Sequence, residues 1–459
     1  MKKKKKLLTL FQIVMINVIA VDSIRSLPFS AYYGASMLLF YACAAIFFFI
    51  PSALVSAELG TGWPTTGGIY IWVREAFGKR LGLIVIWMSW IYNLAWYPTI
   101  MALIAGTTTY FFNPSMAENK TYMVLLILGL FWGATLLNCF GMRISSLLSS
   151  LGAIIGTILP MIFISVLGLI WWFSGNELQI HFTHNELFPK WSSSLHLPFF
   201  ATVLFGLLGL EMAATHAREM ENPRRDYPRA LLISVMVILV TMVASSLSIA
   251  LIVPQQELNL VTGVLQAFKH FFDAYQMPWM VPVIASCIIL GGISAVGAWI
   301  IGPTKGLMIA CLDGSLPKAL GKMNRYGVPS RILIIQAVIV SLLSSAFFLM
   351  PSVNASFWLL STITAQLALL VYVGLFVAAV RLHYSKPEVS RSFRIPGGKW
   401  GIWTTSGSGA LISIIGIVCG FLPPDGLGIT NIFAYELTLI LGMFSLIIIP
   451  YGISKLVGD

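Results

Sequence analysis

Twelve long apolar runs follow one another along this chain, and they constrain its fold more than any other feature. They lie at roughly 9–33, 36–57, 82–112, 121–140, 147–174, 196–217, 230–253, 279–311, 332–350, 354–380, 404–422 and 431–454. A helix needs about 20 mainly apolar residues to cross a bilayer, and within lipid every backbone polar group must be bonded internally. The chain is therefore predicted to be an all-α integral membrane protein with twelve transmembrane helices. Composition supports this: 58% of the 459 residues are hydrophobic and 10% are charged, whereas a soluble domain carries about 25% charged residues. A water-soluble enzyme is excluded.

The formal net charge of +11 raises the question of a nucleic-acid partner, and its distribution answers it. Twelve spans put both termini on one side of the membrane. That side holds 24 of the 28 Lys and Arg residues, including Lys2–Lys6, Arg74, Arg143, Arg218–Arg229 and Arg381–Lys399. The opposite side holds Lys120, Lys190 and Lys269, and Arg25 falls inside the first span. Under the positive-inside rule both termini are cytoplasmic, and the charge orients the chain without implying nucleic acid. The first apolar run lacks a small-residue cleavage site and reads as a span, not as a signal peptide.

The stretches near 175–195, 254–278 and 381–403 read as loops too short to fold alone, and Pro423, Pro424 and Gly426 mark a tight outer turn. The five cysteines fall in or beside apolar runs without a CxxC pair, so neither a disulfide framework nor a zinc site is indicated. Gly297–Gly302 has phosphate-loop spacing, but Pro303 stands where the lysine is required. No HExxH or GxSxG motif occurs. No cofactor is called for, and the expected partners are the lipid bilayer and a small molecule, with a homodimer left open.

Two spans are interrupted. The first reads FQIVMINVIAVDSIRSLPFSAYYG, with Asp22, Ser23, Arg25, Ser26 and Pro28 near its middle. Pro28 is expected to remove a helical bond and to disfavour helix at Leu27. The sixth reads LPFFATVLFGLLGLEMAATHAREM, loosened by Gly206 and Gly209 before Glu211. If the first five spans form one repeat, the sixth is the counterpart of the first. Paired broken helices at matching positions are the sequence pointer to a carrier's binding site. Freed amides suit a carboxylate and freed carbonyls an ammonium, and an amino acid carries both.

These stretches bear a family resemblance. GLEMAATHAREMENPRRDYPRA (209–230) resembles the sixth-helix signature of the amino acid–polyamine–organocation superfamily, and ELGTGWPTTGGIYIWVREAFG (58–78) its loop between the second and third helices. SIALIVPQQELNL (248–260), GPTKGLM (302–308), SFRIPGGKWG (392–401) and GFLPPDG (420–426) are similar to the bacterial glutamate/GABA antiporter family, in its order and over nearly the whole chain. The resemblance implies a LeuT-like fold of 5+5 inverted repeats plus two helices, with helices 1 and 6 discontinuous. It implies a single transmembrane domain, 1–459, with repeats over 1–174 and 196–382 and additional helices over 404–456. It also implies amino acid exchange by alternating access across the bacterial inner membrane.

Carried over residue by residue, the unwound segments would be Ser23–Leu27 and Phe205–Gly209. The substrate-binding set would then be Ser23, Ile24, Arg25, Ser26, Phe205, Gly206 and Gly209, with Tyr372 matching a tyrosine that lines the family's substrate path. Two departures stand out. Arg25 occupies a position where the family carries an uncharged aromatic, and the chain stops at Asp459, so a polar C-terminal plug is expected to be missing.

Each candidate also has a plainer reading. Arg25 either meets a substrate carboxylate or gate, or forms a static ion pair with Asp22, three residues earlier. Glu211 either holds a coupled proton or bonds to the loosened first helix, while His216 reads as an interfacial histidine. Glu58 or Arg74 either contributes to a gate, or the acid simply ends a helix beside the PTTGG segment and the basic loop is solvated. His181 and His184 read as a solvated loop, not a metal site. Trp171, Trp172 and Trp191 read as interface anchors, and Trp299 either packs on substrate or on lipid and helix. The leading functional expectation is a secondary amino acid exchanger. The alternative is a proton-coupled symporter for a neutral or basic amino acid; a channel and an intramembrane enzyme find no supporting motif.

Overall fold

The computed structural model describes residues 9–63, 68–140, 151–188, 197–211, 222–312, 314, 316–317, 319–424 and 426–457. Lys2–Lys6, most of PTTGG, Arg143, Lys190, Trp191, His216 and Arg218 lie outside the described residues. Among those described, every regular element is helical.

Nine helices among the described residues are long and apolar enough to cross a bilayer, and a bent pair, Leu10–Val21 with Ile24–Ala31, makes a tenth. One further described run is shorter. Leu197–Gly206 stands at the position of the predicted sixth span and leads toward residues outside the described set. Ile432–Val457, at the twelfth, is a helix of 26 residues. Nine to ten spans are thus supported among the described residues, and the described parts of the other two predicted runs contain helix as well, because a long uninterrupted apolar stretch leaves the backbone no other way to pair its polar groups in lipid.

One loop expectation is corrected. Within 254–278 the chain forms a helix, Gly263–Ala274, which buries Val264, Leu265, Phe268, Phe271 and Phe272. Those positions repeat at helical spacing, so one face is apolar while Lys269 and Asp273 pair on the other at 2.6 Å. The Ile69–Phe77 helix does the same after the second span, burying Ile69–Val73.

Burial is reversed relative to a soluble protein. Phe173 is 85% exposed, and Leu349 and Leu342 are nearly as bare, whereas Asn17, Gln336 and Gln366 are completely buried. Lipid removes the hydrophobic drive between helices, so close packing and polar contacts hold them together. Trp90 donates to Gln336 at 3.0 Å and Gln366 to the Ile417 carbonyl at 3.0 Å, each linking two helices. Where the π-helical turn Ile154–Ile158 crosses the Met280–Leu312 helix, a Cβ on Gly156 would fall 2.2 Å from the Gly291 nitrogen. Two glycines let these backbones touch. The 33-residue Val353–Ser385 helix packs against Lys79–Thr108 on one side and Gly398–Cys419 on the other.

Candidate functional site

The first broken helix places two charges at its break. Leu10–Val21 ends at Asp22 (φ −59°, ψ 125°), Ser23 is extended (φ −142°, ψ 115°), and Ile24–Ser26 form one 3₁₀ turn. Helix resumes at Leu27, bent by 44°. The predicted break at Ser23–Leu27 therefore lies slightly late. Pro28 sits in the first turn of the outer half-helix, where a missing N–H costs nothing, so it starts that segment and does not break the preceding one. Ser26 donates its hydroxyl to the Ser23 carbonyl at 2.8 Å, satisfying one of the groups the break releases.

The expected ion pair between Asp22 and Arg25 does not form. A helical three-residue spacing would put them on one face, but the extended step at Ser23 turns them apart. Asp22 accepts from the Thr241 hydroxyl at 3.0 and 3.2 Å. Arg25 donates from Nη1 to Ser361 at 3.0 Å, and its guanidinium lies 5.3 Å from the Phe205 ring centre and 6.0 Å from that of Phe357. Among the described residues its Nε has no partner, and the residue is 2% exposed. No ion pair between described residues involves either charge.

The second break is built around Gly209. Phe200–Gly206 is helical, Leu207 leaves the helix, and Gly209 adopts φ +123°. A Cβ there would also meet the Ala20 carbonyl at 3.2 Å and Val21 at 3.3 Å, while one on Gly206 would meet Ser26 at 3.4 Å. The two interrupted helices thus touch through glycines. The Gly209 N–H donates to the Tyr372 hydroxyl at 2.9 Å, and that hydroxyl in turn donates to the buried Glu211 carboxylate. A single tyrosine thereby fixes the backbone turn and orients the acid after it.

Between the breaks lies a cavity of about 430 Å³, within the range of small-molecule sites. Asp22, Ser23, Ile24, Arg25, Ser26, Phe205 and Gly206 line it; Gly209, Glu211 and Tyr372 do not. Tyr92, Trp96 and Trp299 complete its aromatic wall, with Trp96 and Trp299 ring centres 6.2 Å apart. Trp299 therefore faces the cavity. Toward the Tyr32 end of the first broken helix, aromatic rings pack together: Tyr32 stacks on Phe199 at 4.4 Å, Phe29 stacks on Phe357 at 5.4 Å, and Phe199 meets Trp358 in a tilted pair at 4.7 Å.

Glu58 lies apart from the cavity. Buried near the end of the Ile50–Gly62 helix, it pairs with Arg391, not Arg74, and accepts from the Ile395 N–H at 2.8 Å. Arg391 also donates to the Leu382 carbonyl at 2.7 Å and lies over the Trp63 ring at 5.2 Å. Phe393 N–H donates to Thr61 at 3.2 Å, and Lys386 pairs with Glu75. The stretch 381–403, read above as a loop too short to fold alone, is docked onto the end of the second span. Arg74 lies 3.8 Å from Glu75 and over Tyr70. In the loop after the fifth run, His181 donates its backbone N–H to Glu186 at 2.8 Å.

Sequence reasoning missed Ser361, Thr241, Trp96 and Arg391 as partners. Trp96 had a signal: NLAWYP (93–98) places polar and aromatic residues together inside an apolar span. Ser361 and Thr241 had none, because their roles exist only through contacts 336 and 219 residues away.

Comparison with known proteins adds three relatives and a family. The amino acid permease family matches residues 6–444. An uncharacterized transporter of Legionella pneumophila is 50% identical over 455 residues, covering 99% of this chain and 98% of its own. A glutamate/gamma-aminobutyrate antiporter of Lactococcus lactis is 28% identical over 460 residues, covering 98% of this chain and 91% of its own. A probable agmatine/putrescine antiporter of the same species is 24% identical over 401 residues, covering 86% and 84%.

Proposed function

The chain belongs to the amino acid permease family, and from that premise we propose that it is a secondary amino acid antiporter of glutamate/GABA-exchanger type. One observation carries the reading. Arg25 is buried in the wall of the cavity, bonded to a serine hydroxyl and flanked by two aromatic rings, with no carboxylate paired to it among the described residues. A guanidinium at membrane depth is expensive unless something pairs with it. Its planar fork matches a carboxylate, which every amino acid supplies.

In this reading the chain is one LeuT-like domain of twelve spans, with repeats over 1–174 and 196–382 and two added helices over 404–456. Both termini face the cytoplasm of a bacterial inner membrane. Ser23–Ser26, Phe205 and Gly206 surround the substrate, while Gly209 and Tyr372 hold the second break. The site opens alternately to each side. Glu211 favours a second reading, proton-coupled symport, because it is a buried acid whose described partners include only the Tyr372 hydroxyl among side chains.

Counterflow in proteoliposomes separates the two. Vesicles loaded with unlabelled glutamate or GABA should accumulate the labelled compound with pH equal on both sides. Uptake that requires a pH gradient, and whose pH dependence disappears in Glu211→Gln, would establish symport instead.

A further inference from the structure

The Leu10–Val21 helix is tied to the Pro223–Ile252 helix at two levels, and the two ties differ by one chemical group. Asn17 donates to the Ser234 hydroxyl at 3.0 Å. Five residues on, Asp22 accepts from Thr241 at 3.0 and 3.2 Å. The amide performs the structural task without a charge. At the second level a carboxylate replaces it, and only that level lines the cavity.

Among the described residues no cation pairs with that carboxylate. The Thr241 hydroxyl has a single proton, and the Val237 and Ile238 carbonyls, each 3.0 Å away, compete for it. Asp22 caps the C-terminal end of its helix, where the backbone dipole disfavours negative charge. Arg25 is turned away and bonded to Ser361. The cavity therefore holds a buried carboxyl and a buried guanidinium that pair neither with each other nor with any other described ion, both on one short break.

Resting on the exchanger reading above, we propose that Asp22 binds the substrate's ammonium group, so that the site takes molecules bearing an ammonium together with a carboxylate and rejects both carboxylates without an amine and diamines. An ammonium supplies three donors, enough for the lone pairs that Thr241 leaves free. A diamine would satisfy Asp22 but leave Arg25 facing a second positive charge. This separates the two substrate classes named for the antiporter relatives, placing the chain with amino acids and apart from agmatine and putrescine.

The test uses ligand pairs that differ by the amine alone: glutamate against glutarate, and GABA against butyrate, with putrescine as the diamine. Binding is measured by calorimetry on the purified full-length protein in sodium-free buffer. Wild type should prefer the amine-bearing member of at least one pair by about 100-fold, as expected for a buried charge-assisted bond, and should not bind putrescine. In Asp22→Asn, which retains the bond to Thr241, that preference should fall below about threefold. Asp22→Ser repeats the comparison in case the asparagine variant does not fold. Thr241→Val should keep the preference, since the carboxylate remains.

Equal binding of both members of each pair by wild type overturns the assignment of Asp22 while leaving an exchanger intact. So does a variant that keeps the full preference, or one that alters only a response to added sodium. Failure of wild type to bind any amino acid overturns the exchanger reading and this assignment together.

Discussion

Two regions of this molecule bury charge, and they do so in opposite ways. At the end of the second span, Glu58 is surrounded: Arg391 pairs with it, the Ile395 amide donates to it, and Arg391 also reaches the Leu382 carbonyl. At the break in the first span, the side chains of Asp22 and Arg25 meet only hydroxyls and rings among the described residues. Burying an ion is tolerable when partners replace its hydration. The first region is complete as it stands, which marks it as structural. The second is incomplete, and it lines a cavity. Burial alone does not mark a binding site; burial without a partner does.

The largest expected effect lies in the complete region. Arg391→Ala leaves Glu58 buried and unpaired, and should destabilise the protein by about 3–5 kcal/mol, read as a lowered Tm in detergent. Restoring neutrality with Glu58→Gln in the same chain should recover part of the loss. A variant with unchanged Tm would mean that the docked stretch 381–403 contributes little, and the contrast would lose one side.

A smaller effect is expected where the two broken helices touch. Gly209→Ala places a side chain at φ +123° and against the Ala20 carbonyl, at a cost of about 1–3 kcal/mol. Because the turn supports the cavity wall, substrate affinity should fall along with stability. A stable variant with normal affinity would show that the second break adjusts freely.

The smallest effect sharpens the contrast between the two ties of the first helix. Ser234→Ala should cost about 1 kcal/mol through the Asn17 amide and leave substrate affinity unchanged. Altered affinity would show that the neutral level also belongs to the site.

These particulars indicate what the sequence made legible. Long apolar runs announce helices because lipid offers no alternative backbone pairing, so nine to ten of the twelve predicted runs meet spanning helices among the described residues. The first break was visible because Asp22 and Arg25 interrupt such a run, although Pro28 drew attention to the wrong side of it. Gly263–Ala274 escaped because it is too short to span, even though its apolar residues recur at helical spacing. The partners of the charges were not legible at all. Arg391 reaches Glu58 across 333 residues, and from the sequence it was one more basic residue in a cytoplasmic loop. Whether a charge is paired is a property of the tertiary fold. The separation of Asp22 from Arg25, the feature on which the functional reading turns, depends on two extended backbone steps that residue spacing does not reveal.

The most direct test of the central claim is substrate-induced thermal stabilisation, compared between wild type and Arg25→Ala at saturating glutamate and GABA. If Arg25 waits for a substrate carboxylate, wild type gains Tm with at least one of them. The variant should then unfold near the ligand-free wild-type temperature and gain nothing on ligand addition. A variant that is stabilised by ligand as strongly as wild type would place Arg25 outside the site and contradict the account.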